Sequence, residues 1–288
     1  MRHGNALLFS LQASLFERSC YTTGNQDVYW KGLSLPIGAF MTIAASGVPV
    51  FAQTTAGSGE RAAIGVSEPA TAARRRLAVA PRVLDELTPE NSVVLLVDYQ
   101  GQFAFSTHSI SIDMLVNNTA GLAKSARVFN VPIVVSTVTA GTFAGPLLHQ
   151  VEAAIPGVKP IDRTVINAWK DPRVSDAIRA TGRKKLLIAG LWTDNCVMLP
   201  ALSALAEGFE VYVVTDASGD YDAASHERAV QRLVQAGAVP VTWLPVVLEW
   251  QGDWSRQVTA AAINEIFREH AAALSVGAQY RVDTVRRK

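Results

Sequence analysis

Asp98 and Cys196 are the two side chains of this sequence whose types and placement suit covalent chemistry. Asp98 closes the apolar run Ser92–Val97, and Cys196 follows a second such run, Lys185–Ala189, after a short loop. A thiol attacks as its thiolate, and a carboxylate within reach can take its proton, so the pair could serve as nucleophile and general base. A cysteine opening a helix would gain further from the helix dipole and the unpaired N–H groups there. The alternative is an inert core thiol and an aspartate that caps a turn. Cys20 is the only other cysteine, which rules out a disulfide framework or a Cys-rich zinc site. His3, His108, His149, His226 and His270 are scattered without ligand spacing, so no metal is expected. No G-x-G-x-x-G and no P-loop follows a strand, so a dinucleotide or nucleotide cofactor is not expected either.

The elements that must bring this pair together alternate along the chain from about Leu87. Short apolar runs at Ser92–Val97, Pro132–Ser136, Lys185–Ala189, Val211–Thr215 and Val239–Trp243 read as strands, with a weaker one at Thr164–Ile166. Helical spacing falls at Ile110–Phe129, Pro146–Ala154, Asp171–Thr181, Val197–Glu207, Ser225–Gln235 and Ser255–Leu274. Strands separated by helices imply an α/β fold, a three-layer α/β/α arrangement around a six-stranded, mostly parallel sheet. With right-handed crossovers the common strand order is 3-2-1-4-5-6, which sets strands 1 and 4 side by side at the switch point. Ligands bind outside the carboxyl ends of those two strands, where the loops carrying Asp98 and Cys196 emerge.

Composition supports a folded domain and narrows its partners. Apolar residues make up 49% and charged residues 18% of 288, and 26 Lys+Arg against 25 Asp+Glu leave a net charge of +1. That balance lacks the basic excess a nucleic-acid binder needs, so the expected partner is a small-molecule substrate. Leu33–Val50 is uncharged and apolar, preceded by Lys31 and followed by Val50-Phe51-Ala52, the pattern of a secretory signal cut after Ala52. Residues 1–52 are therefore expected to be a signal peptide with an N-terminal extension, and 53–81, which includes Arg74-Arg75-Arg76, a flexible linker. Residues 82–288 are expected to form the folded domain that carries Asp98 and Cys196. Cleavage would leave a periplasmic or secreted protein with Cys196 as its lone thiol and no stable membrane insertion. Without it the protein is cytoplasmic.

The stretch Lys185–Val197 (KLLIAGLWTDNCV), together with Ala204–Val211, Val214–Ala217 and Leu95–Gln100, resembles the isochorismatase-like cysteine hydrolases. Ile166–Trp169 and Ala238–Trp243 are most similar to the YcaC-type subgroup. The resemblance implies a triad of Asp98, a cation and Cys196. Arg163 matches the cationic position, with Lys170 as the alternative. An arginine there can stabilise a thiolate and orient Asp98 but cannot pass protons. It further implies a cis peptide before Thr193, an oxyanion hole from the N–H groups of Trp192 and Cys196, and a homo-oligomer. Trp169, Phe103 and Tyr99 are candidates for the substrate pocket, and Asp216 for a structural cap. The expected activity is hydrolysis of a small amide or related C–N or carbonyl compound through a thioester. A competing reading is an exported, non-hydrolytic protein with a redox-responsive or vestigial Cys196, which reversible oxidation without acylation would distinguish.

Overall fold

Every residue of the first strand, β1 (Ser92–Val97), is buried, as a strand covered on both faces requires. Its side chains alternate between two cores: Val94 and Leu96 meet Leu115, Leu122, Trp243 and Ile263 on one side. Val93, Leu95 and Val97 meet Val174, Ile178, Ala201 and Leu233 on the other. Full burial of each such aliphatic side chain contributes about 1.5–3 kcal/mol, so this one strand ties both layers to the sheet. The computed structural model describes residues 84–285. The predicted signal segment 1–52 and linker 53–81 lie outside the described residues.

Five more strands complete the sheet: β2 (Ile133–Val138), β3 (Ile161–Arg163), β4 (Lys185–Gly190), β5 (Glu210–Val214) and β6 (Val239–Val241). All pairings are parallel, in the order β3-β2-β1-β4-β5-β6. This is the predicted three-layer α/β/α fold. The helices are α1 (Gly101–Ala104), α2 (Ile112–Val128), α3 (His149–Ala154), α4 (Pro172–Ala180), α5 (Met198–Ala206), α6 (Ala223–Gln235), α7 (Trp243–Gln251), α8 (Gln257–His270) and α9 (Ala272–Val285). Buried residues of α2, α3, α7 and α8 build the first core, and those of α4, α5 and α6 the second.

Three elements differ from the sequence reading. β3 ends at Arg163 instead of beginning after it, because Ser136–Val138 of β2 pair with Ile161–Arg163, which leaves Ile166 exposed. The predicted sixth strand stops at Val241, and Trp243 opens α7. Its buried Trp243, Val246, Val247 and Trp250 follow helical spacing, and the Trp250 indole donates to Ser92 Oγ at 3.1 Å. The long final helix is two, α8 and α9, joined at Ala271. Among the described residues no helix is long and apolar enough to cross a membrane.

Candidate active site

At the carboxyl end of β1 the backbone turns sharply: Asp98 has φ +54°, in the left-handed region that few residues other than glycine, asparagine and aspartate enter. Its N–H donates to Ser136 O at 2.9 Å, holding the turn to β2. Gln100 reinforces the same junction, accepting the Val138 N–H at 2.8 Å and donating to the carbonyls of Val138 and Gly145. Beside β1, β4 ends at Gly190, where an added Cβ would lie 2.1 Å from Val97 O. Glycine at this position lets the two strand ends touch, so the chain leaving β4 passes close to Asp98.

Arg163, the last residue of β3, donates from Nη2 to Asp98 Oδ2 at 2.7 Å, and both side chains are fully buried. Arg163 Nε and Nη1 and Asp98 Oδ1 are buried without a formed hydrogen bond to protein. Lys170, the alternative cation, is exposed in the following turn Ala168–Lys170. The Cys196 thiol is coupled to the same Asp98 carboxylate by charge and hydrogen bonding. Burial pushes Asp98 up to about 6, against the opposing charge of Arg163. Burial and then the Asp98 charge push the Cys196 thiol up to about 12, with Arg163 and the Trp192 N–H pulling the other way.

Cys196 lies in the π-helical turn Thr193–Val197 that runs directly into α5, so the expected helix start does carry the thiol. A thiol raised by burial beside a carboxylate can pass its proton to that carboxylate as it reacts. The cis peptide is Leu191–Trp192, one bond before the expected Trp192–Thr193. The Thr193 N–H is spent on Gly219 O at 3.0 Å.

Two of the expected pocket residues have their polar atoms bound within the protein. Tyr99 is fully buried, its hydroxyl donates to Ala217 O, and burial pushes the phenol up. The Trp169 indole shares an apolar cluster with Cys196, but its N–H is bound to Glu207 Oε1 at 2.6 Å and its ring packs edge-on against Phe209. Both are struts. Phe103 does stand by the nucleophile turn, edge-on to Trp192 at 5.3 Å and to Phe143 at 6.2 Å. Asp216 accepts the Trp243 N–H at 2.9 Å, which makes it a cap for α7.

Sequence reasoning missed His226 and Tyr221. The Thr193 hydroxyl donates to Gly219 O, so it accepts from His226 Nδ1 at 2.8 Å, which assigns the ring proton to Nδ1. Tyr221 packs edge-on against Trp192 at 5.6 Å. No pattern in the sequence marks either one, since their partners arrive through the sheet.

The sequence profile of the Isochorismatase domain matches residues 92–244. The chain is 39% identical over 185 residues to the probable hydrolase YcaC of Escherichia coli K12, covering 64% of this chain and 88% of that one. The crystal structure of E. coli YcaC, described as an octameric hydrolase of unknown specificity, superimposes with a TM-score of 0.64 over 69% of this chain and 98% of that one. YcaC from Pseudomonas aeruginosa, solved with hexane-2,5-diol and covalent acrylamide, is 36% identical and gives a TM-score of 0.65, covering 68% and 96% of the two chains.

Proposed function

This chain belongs to the isochorismatase family of hydrolases, and from that premise we propose that it is a cysteine-dependent hydrolase acting on a C–N bond of a small amide or related carbonyl compound. The observation that carries this reading is the convergence of Cys196 and the buried Arg163–Asp98 pair on one carboxylate. As Cys196 Sγ attacks the substrate carbonyl carbon, its proton passes to Asp98. The negative charge on the carbonyl oxygen is met by the N–H groups of Trp192 and Cys196, each such donor being worth about 2.7–4 kcal/mol in comparable chemistry. The C–N bond then breaks, Asp98 returns the proton to the leaving nitrogen, and a thioester remains. Water, deprotonated by the same carboxylate, hydrolyses the thioester and restores the thiol.

Arg163 moves no proton in this cycle. Its guanidinium stays charged, fixes Asp98 by the 2.7 Å contact, and offsets charge on the sulfur. Phe103 and Trp192 pack edge-on beside the turn that carries Cys196, which favours a substrate with an apolar portion. The acrylamide held covalently in the Pseudomonas relative fits a nucleophilic group at a site of this kind. The octameric E. coli relative supports assembly as a homo-oligomer.

The test is a screen of small amides, ureido acids and esters against wild type and Cys196→Ala, scored by product release and by intact mass for an acyl adduct. Turnover that vanishes in Cys196→Ala, with an adduct mapped to Cys196, is the expected result. Turnover untouched by Cys196→Ala would falsify the reading.

A further inference from the structure

The segment Gly219–Tyr221 runs beside the nucleophile turn and takes no part in the chemistry above. Leu191 and Gly219 form an isolated parallel bridge, and Gly219 O accepts both the N–H and the hydroxyl of Thr193 at 3.0 Å. Next to it, Asp220 is fully buried. Its Oδ2 accepts the Asp194 N–H and its Oδ1 the Tyr221 N–H, each at 2.9 Å. Asp220 is itself anchored from outside: its N–H donates to Ser109 Oγ at 2.8 Å, and its carbonyl accepts the N–H groups of His108 and Ser109 at 2.9 and 3.1 Å. Tyr221 extends this hold, with its ring edge-on to Trp192 and its hydroxyl 3.2 Å from Asp194 Oδ2.

A buried carboxylate is costly unless its oxygens are paired, so a fully buried one outside the triad needs a task that a neutral side chain could not do. Both oxygens here accept from backbone N–H groups, one in the nucleophile turn at Asp194 and one at the following residue, Tyr221. Asparagine has one acceptor oxygen, and its amide NH2 would face the second donor. We propose that Asp220 is a positioning residue for Cys196: its carboxylate clamps the Asp194 end of the nucleophile turn and, through Tyr221, the Trp192 residue, so that the turn carrying Cys196 keeps its place beside Asp98. This rests on the reading of Cys196 as the nucleophile. The inside of the turn is closed on Trp192 O by the N–H groups of Asn195 and Val197, both at 3.2 Å, so the clamp and the turn share one rigid segment.

The experiment measures the rate of acrylamide addition to Cys196, located by peptide mass, from about pH 6 to about pH 9 in wild type, Asp220→Asn and Ser109→Ala, with thermal unfolding of each. Loss of the clamp lets the turn shift away from Arg163 and the Trp192 N–H, the two groups that favour the thiolate. Asp220→Asn should therefore displace the pH–rate profile upward by about one unit, a slowing of about tenfold at a given pH. Ser109→Ala, which loosens only the anchor of Asp220, should move it the same way by less, and gives the answer if Asp220→Asn does not fold. A profile displaced downward would mean that Asp220 acts through its charge alone and overturns the proposal. An unmoved profile with a lowered Tm would reduce Asp220 to a structural residue and overturn it too. Failure of the underlying reading looks different: wild type itself would then take up no acrylamide at Cys196.

Discussion

Asp98 has two opposing effects on Cys196, and substitutions can separate them. As the proposed base it must be ionised, and burial has pushed it up to about 6. Acylation should therefore be full above that value and fall about tenfold per unit as pH drops below it, read as kcat/KM against pH. As a charge, however, the same carboxylate is the second cause, after burial, of the raised thiol. Asp98→Asn should abolish turnover yet lower the thiol pKa, so that iodoacetamide labels Cys196 faster at neutral pH than in wild type. Slower labelling would mean that Asp98 supports the thiolate instead of opposing it. Arg163 lowers both groups. Arg163→Ala should move the acid limb of the activity profile to higher pH, and Arg163→Lys should leave it near its place. Removing one partner of a buried pair also costs about 3–5 kcal/mol, part of which Asp98 can recover by taking up a proton.

The meeting of β1 with β4 is what turns these residues into a site. Val97 and Gly190 are register partners, and Gly190 lies where any side chain would run into the Val97 carbonyl. Gly190→Ala should cost about 1–3 kcal/mol in urea unfolding and slow Cys196 labelling as well, because the strand ends must part. Much of this framework was legible in the sequence: apolar runs separated by helical periods gave the strand order, and the order gave the Asp98–Cys196 pairing. Arg163 needed the family resemblance, since a three-residue strand carries too few side chains for a periodic signal. β3 was misplaced for the same reason. Trp169 and Tyr99 read as pocket residues because aromatic rings suit pockets and cores alike, and only Glu207 and Ala217 reveal where their polar atoms go. Asp220 and His226 gave no signal, as their partners lie on the other side of a crossover.

For the molecule as a whole, two expectations remain to be measured. If the apolar segment 33–52 is an export signal, intact mass of protein from the extracytoplasmic fraction should give a chain beginning near Gln53, without Cys20. Cytoplasmic protein retaining residues 1–52 would sink that idea. Light scattering should find a homo-oligomer, as the octameric relative suggests, and a monomer at micromolar concentration would count against it. Both bear on a property that follows from the buried thiol. Peroxide and similar oxidants attack thiolates, and a cysteine held at about 12 carries almost none at neutral pH. The folded protein should therefore resist peroxide, read as free thiol lost over time against the unfolded chain, and Cys196 should become vulnerable mainly when the chain unfolds or Asp98 loses its charge. For an exported protein, whose lone reactive cysteine would otherwise be driven to sulfinic acid, the same burial would lengthen its working life.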